Sequence, residues 1–177
     1  MFEYLQVAIW WLVRQVWLSL PLIAAIGAML IAMAPANLFH EMVPAPDLVL
    51  ASVFYWAIFG PGLLPAWAVF VLGLTQDFAT GGAIGFWALI YLVAYGFTLS
   101  QRVFFTGRSG PGVWFGFALV AAVTSVVAWV LGSITYAHWL PPGPVFLQAA
   151  MSVLVYPLVA RVFVLIRRAL TSAGDAP

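Results

Sequence analysis

Residues 46–77 read PDLVLASVFYWAIFGPGLLPAWAVFVLGLTQD, and the fold turns on how this stretch is cut. Leu48 to Phe59 is an apolar run, Gly60-Pro61-Gly62 interrupts it, and a second run goes from Leu63 to Gln76. As helix, twelve to fourteen residues reach only about 18–21 Å, short of the roughly 30 Å hydrocarbon core of a bilayer. The two runs are therefore either one kinked helix or a hairpin of two short ones. Gly-Pro-Gly favours a break, since proline lacks the N–H and glycine is free to turn. Charge bias decides more firmly. With the N-terminus in the cytoplasm, a hairpin puts Arg14, Arg102, Arg108, Arg167 and Arg168 inside, with Arg161 near the same face, and leaves Glu41, Asp47 and Asp77 outside. Merging the runs moves every arginine after Arg14 outside. The positive-inside tendency selects the hairpin.

The rest of the chain demands a membrane as well. Of 177 residues 66% are hydrophobic and 6% charged, and there are six arginines, no lysine and five carboxylates. Mean hydropathy is +1.11. A soluble domain carries about 25% charged residues, so this composition excludes a soluble enzyme, a nucleic-acid binder and a disordered tail. The absence of cysteine excludes disulfides, thiolate metal sites and cysteine nucleophiles. At about 20 residues per span the length allows at most six or seven crossings.

Working outward, a first span is expected over 16–34, with Pro21 in its first turns and Pro35 ending it. Residues 1–15 carry Glu3, Gln6, Arg14 and Gln15 among Trp10 and Trp11, which fits an interfacial or cytoplasmic segment. A fourth span is expected over 84–99, a turn-rich loop over 106–112, a fifth span over 113–135 and a sixth over 145–166 with a kink at Pro157. Residues 167–177 form a short cytoplasmic tail behind the anchor Arg167-Arg168. The expectation is one all-α integral membrane domain over 1–177, with a six-helix core at 16–166 and both termini cytoplasmic. No internal repeat is present.

Ionisable groups inside a membrane are costly and point to function by default. Asp47, after Pro46, suits an N-cap that accepts backbone N–H bonds at the positive end of a helix. Asp77 ends the third span, where the helix dipole disfavours a carboxylate; it either caps the turn into the fourth span or serves packing or partner contact. Both aspartates fall at the outer ends of their spans, so a close pair would leave one neutral, with Asp77 the expected donor. His40, Glu41 and His138 lack the spacing of a metal site, and no cofactor is expected. The arginines read as topology anchors or anionic-lipid contacts. Small residues at fourfold spacing suit close helix packing: Ala24, Ala28 and Ala32 on the first span, Gly81 and Gly85 before the fourth, Gly112 and Gly116 near the fifth. Tyr91 shares a face with Tyr95, and Thr124, Ser125, Ser152 and Tyr156 can bond across helices. Trp17, Trp114 and Trp139 suit an aromatic belt, whereas Trp56, Trp67, Trp87 and Trp129 are expected in the packing. No nucleophile has an adjacent base, so no enzyme is expected.

The Pro46-Asp47-Leu48-Val49-Leu50 entry, the Tyr55-Trp56 pair, and Gly73-x-x-x-Asp77 leading to Gly85 and Ala88-Leu89 resemble the bacterial rod shape-determining protein MreD family. The resemblance extends over roughly 16–168; Gln76 stands where an apolar residue is usual, and the N-terminal segment is longer. It implies a non-enzymatic scaffold of the cell inner membrane in the elongasome. It implies binding to the single-span protein MreC and, through it, coupling of the MreB filament to RodA and its transpeptidase in peptidoglycan synthesis. It also implies an architecture similar to the substrate-binding membrane subunits of energy-coupling factor transporters. Pro46, Asp47, Gly73, Asp77, Gly81 and Gly85 are then candidate structural or partner-contact residues, and Ala24, Ala28 and Ala32 a packing face. A small-solute-binding transporter subunit is the competing reading. The alanine face suits it, the Pro46-Asp47 and Asp77-to-Gly85 pattern suits the scaffold, and a neighbouring reading frame for a coiled-coil protein or an ATPase would separate the two.

Overall fold

A computed structural model describes residues 22–27, 29–30, 44–105 and 110–174, with side chains described as far as Arg168. The regular elements of the described chain are all helices: α1 is Leu48–Phe59, α2 Ala66–Thr80, α3 Phe86–Ser100, α4 Arg102–Phe105, α5 Gly110–Thr135 and α6 Pro142–Gly174. Residues 22–27 and 29–30 are helical too. Their Ala25 and Met29 enter the core, and Ala24 is half-buried against it. Residues 1–15, His40, Glu41, Arg14, Arg108, Ala28 and Ala32 lie outside the described residues.

The run that looked like a short span is the centre of the bundle. Every residue of α1 from Val49 to Ile58 is buried, as expected of a helix apolar on all sides. It packs against α3, α5 and α6. Phe54 makes edge contacts with Phe105, Phe117 and Tyr156, and Phe117 stacks on Tyr156 at 4.3 Å, so one aromatic knot ties α1, α4, α5 and α6 together.

Residues 60–65 break the helix, and the contacts on either side give its direction. Asp47 at the start of α1 meets Tyr91 in α3, and Ile58 near its end meets Arg102 just beyond α3, so α1 and α3 run parallel. Asp77 at the end of α2 meets Gly85 and Trp87 at the start of α3, and Gly73 lies against Ala88, so α2 runs antiparallel to α3. The chain therefore reverses between α1 and α2. α2 packs chiefly on α3 rather than on α1. Proline and glycine prevent a continuous helix, and Gly73 lets α2 lie flat on α3.

Two helical stretches, Gly110–Thr135 and Pro142–Arg168, are long and apolar enough to cross a membrane, and α1 and α3 are shorter apolar helices. Their outer faces carry Phe115, Leu119, Val126, Leu154, Leu158 and Val162 exposed, an apolar surface suited to lipid. Gly110-Pro111-Gly112 is not loop but the first turn of α5, a position proline tolerates because the first N–H groups have no partner within the helix. α6 continues to Gly174 through residues expected as tail, with Pro157 inside it. Trp67, expected in the packing, is 65% exposed, whereas Trp56 is fully buried.

Candidate functional site

Among the described residues, both carboxylates are bound beside the first turns of α3. Asp77 is 1% exposed. Its Oδ2 accepts from the Gly85 N–H and its Oδ1 from the Trp87 N–H, both at 2.8 Å. The N-terminal N–H groups of a helix lack partners within it. A carboxylate from the preceding helix supplies them here, and its charge meets the positive end of the α3 dipole. The unfavourable position at the end of α2 is thus offset by the start of the next helix. Asp77 acts as an acceptor through both oxygens, which is the capping role.

The loop between α2 and α3 is shaped for this reach. Gly81 ends α2 at φ +65° and Gly85 precedes α3 at φ +94°; both conformations favour glycine. Upstream, a Cβ on Gly73 would fall within 3.0 Å of the Ala88 Cα and N and of the Trp87 carbonyl carbon. Gly73, Asp77, Gly81 and Gly85 therefore belong to one joint that seats α2 on α3.

Asp47 forms a second, linked joint. Its Oδ1 accepts the Leu50 N–H at 2.8 Å, the geometry of an N-cap on α1. Tyr91 donates its hydroxyl towards both carboxylate oxygens, at 3.2 and 3.3 Å. The Asp47 N–H donates to Ser152 Oγ at 2.7 Å, and that hydroxyl donates to the Gln148 carbonyl. Pro46 supplies its carbonyl to the Leu48 N–H. Tyr91 stands one turn beyond Trp87, with the rings 5.7 Å apart, so the Asp77 joint and the Asp47 joint are successive turns of α3. The two carboxylates have separate donor sets, so the expected close pair gives way to two separate caps.

Depth is the second departure. Ser152 lies ten residues after Pro142, which is roughly 15 Å along α6. Asp47 also lines a recess with Thr124, Ser125 and Gln148, and Thr124 is about three turns from the end of α5. Asp47 is therefore set well inside the ends of α5 and α6, because α1 is shorter than its neighbours and does not start level with them. The recess holds about 30 Å³, room for one or two waters.

Sequence reading pairs Tyr91 with Tyr95 on a face and leaves the Tyr91–Asp47 bond unseen; the 44-residue separation carries no local signal. Ser152 does bond across helices, whereas Thr124 and Ser125 donate to carbonyls of their own helix. Arg102, expected as an anchor, donates from Nε to the Ile58 carbonyl at 3.0 Å, a cation on the negative end of α1. No group of three or more His, Cys, Asp or Glu suited to a metal occurs among the described residues.

The family model described as rod shape-determining protein MreD matches residues 12–168, the bulk of the chain. The chain belongs to that family. Neither the curated proteins nor the solved structures give a match.

Proposed function

We propose that this chain, as a member of the MreD family, is a non-enzymatic scaffold of the cell-elongation machinery, a multi-pass protein of the inner membrane with six spans and both termini in the cytoplasm. It binds the single-span protein MreC and through it couples the MreB filament to peptidoglycan synthesis by RodA and its transpeptidase. The family itself assigns a role in rod shape determination. The observation that carries the scaffold reading is the commitment of both described carboxylates to helix caps: Asp77 to α3 and Asp47 to α1. Such groups hold a bundle in one arrangement, which is what a platform for other membrane proteins requires.

The competing transporter reading needs room for a solute. The recess beside Asp47, at about 30 Å³, is an order of magnitude below the roughly 300–1,000 Å³ of small-molecule sites. That recess therefore offers a solute no room; the groove at the other end of the bundle, about 590 Å³, is within that range, so the scaffold reading rests on the family and the two caps rather than on cavity size. Affinity purification of the full chain from its host is expected to bring down a single-span coiled-coil partner, and depletion is expected to round the cells. Rods of normal shape with impaired solute uptake would overturn the reading.

A further inference from the structure

At the end of the bundle away from Asp47, a groove of about 590 Å³ runs between α1, α5 and α6. Its wall is apolar, with Val113, Pro157, Ala160 and Val164, and two exposed arginines, Arg161 and Arg168, stand on its rim. Tyr55 and Tyr156 line the groove and are 1% and 2% exposed, and among the described residues their hydroxyls, closed off from solvent, have no hydrogen-bond partner. The charge is one-sided. Arg102 and Arg167 lie at the same end, Arg102 on the Ile58 carbonyl and Arg167 over the Phe59 ring. The described carboxylates Asp47 and Asp77 are bound instead beside the first turns of α3.

We propose that this groove binds one anionic phospholipid of the bilayer. An acyl chain lies along the Val113, Ala160 and Val164 wall. The phosphate meets Arg161 and Arg168, whose guanidinium groups match phosphate oxygens in pairs. Charge complementarity selects an anionic lipid over a zwitterionic one, and the apolar wall selects a lipid over a free phosphate.

The full chain, purified in mild detergent and exchanged into nanodiscs of equimolar phosphatidylglycerol and phosphatidylcholine, tests this by native mass spectrometry of the lipid retained. Wild type is expected to retain phosphatidylglycerol preferentially. Near a charged bilayer each arginine contributes about a fivefold preference, so Arg161→Gln with Arg168→Gln should reduce it about thirtyfold. The paired Arg→Lys variant should keep part of the preference, because an ammonium retains the charge but not the paired bonds. Ala160→Phe fills the groove and should abolish retention of either lipid while thermal unfolding shows the protein folded. Equal retention of both lipids overturns the proposal. So does an unchanged preference in the double Arg→Gln variant, or continued retention in a folded Ala160→Phe protein. Preferential retention of a single-chain alkyl phosphate overturns the diacyl assignment. A photo-crosslinker at position 160 that captures residues 1–21 or a second copy, instead of lipid, assigns the groove to that occupant and overturns the proposal as well.

Discussion

Asp47 and Asp77 are the same side chain in two geometries, and substitution by asparagine should tell them apart. Asp77 uses both oxygens, one for each of two backbone N–H groups. Asparagine offers one oxygen, and its amide nitrogen would face the second donor. Asp77→Asn should therefore lose one charge-assisted bond and bury an unmatched N–H, about 2 kcal/mol. Asp77→Leu should lose both, about twice that. Asp47 places its short capping bond through Oδ1 alone, and Tyr91 approaches both oxygens at longer range. Asparagine caps as well as aspartate, and the Tyr91 hydroxyl can accept from its amide. Asp47→Asn should cost under about 1 kcal/mol, whereas Asp47→Ala should cost about 1–2 kcal/mol. Thermal unfolding of the purified variants, with rescue of rod shape in a depleted strain, would check this order. If Asp77→Asn is as mild as Asp47→Asn, the two-donor account of Asp77 is wrong.

At the scale of elements, the helix joints rest on glycines of two kinds. Gly73 is held by space: a Cβ would meet Ala88 backbone, which cannot swing aside. Gly73→Ala should push α2 off α3 and cost about 1–3 kcal/mol, the range for overpacking. Gly116 is also tight: there the Cβ would meet the Phe105 ring, itself buried in the knot with Phe54, so Gly116→Ala should cost a similar amount. Gly85 has open space around it and a φ of +94°; Gly85→Ala should cost about 1–2 kcal/mol through backbone strain alone. A thermal-shift series of the three variants would check the ranking. These joints also mark how far the sequence could be read. The break at Gly60-Pro61-Gly62 and the reversal around it follow from local chemistry and charge bias. The Asp47 N-cap follows from its place before an apolar run. The choice between caps and a shared proton for Asp77 does not, because its donors lie eight and ten residues away across two positive-φ glycines. Nor does the depth of α1, since twelve apolar residues read alike as a short span or as a core helix buried on every side. The first span's alanine face stays an expectation, with Ala24 alone of the three among the described residues.

At the scale of the molecule, charge and direction agree. Phe59 and the 60–65 turn, Arg102, Arg161, Arg167 and Arg168 share one end of the bundle: Arg102 binds the Ile58 carbonyl, Arg167 covers Phe59, and Arg161 and Arg168 share a groove with Phe59. Residues 136–141 lie between α5 and α6, where Trp129 and Ser133 in α5 bond Leu140 across the turn. α1 leads away from Asp47 towards the arginine end, α2 returns, and α3 leads to the arginines again. In the proposed orientation the positive-inside tendency places this arginine end in the cytoplasm. Reporter fusions inserted after Gly62 and Gly107 should both read cytoplasmic, and one after Pro142 should read external. The insertion after Gly62 carries the most weight. If α1 and α2 formed one kinked span, that site would sit within the bilayer and give no signal on either side. A variant with both Arg167 and Arg168 changed to Gln should keep this pattern, because Arg102 remains docked on α1 and Arg161 stays at the same end. An external signal at Gly107 in the unaltered chain would refute the orientation, and with it the cytoplasmic placement of the arginine-rimmed groove.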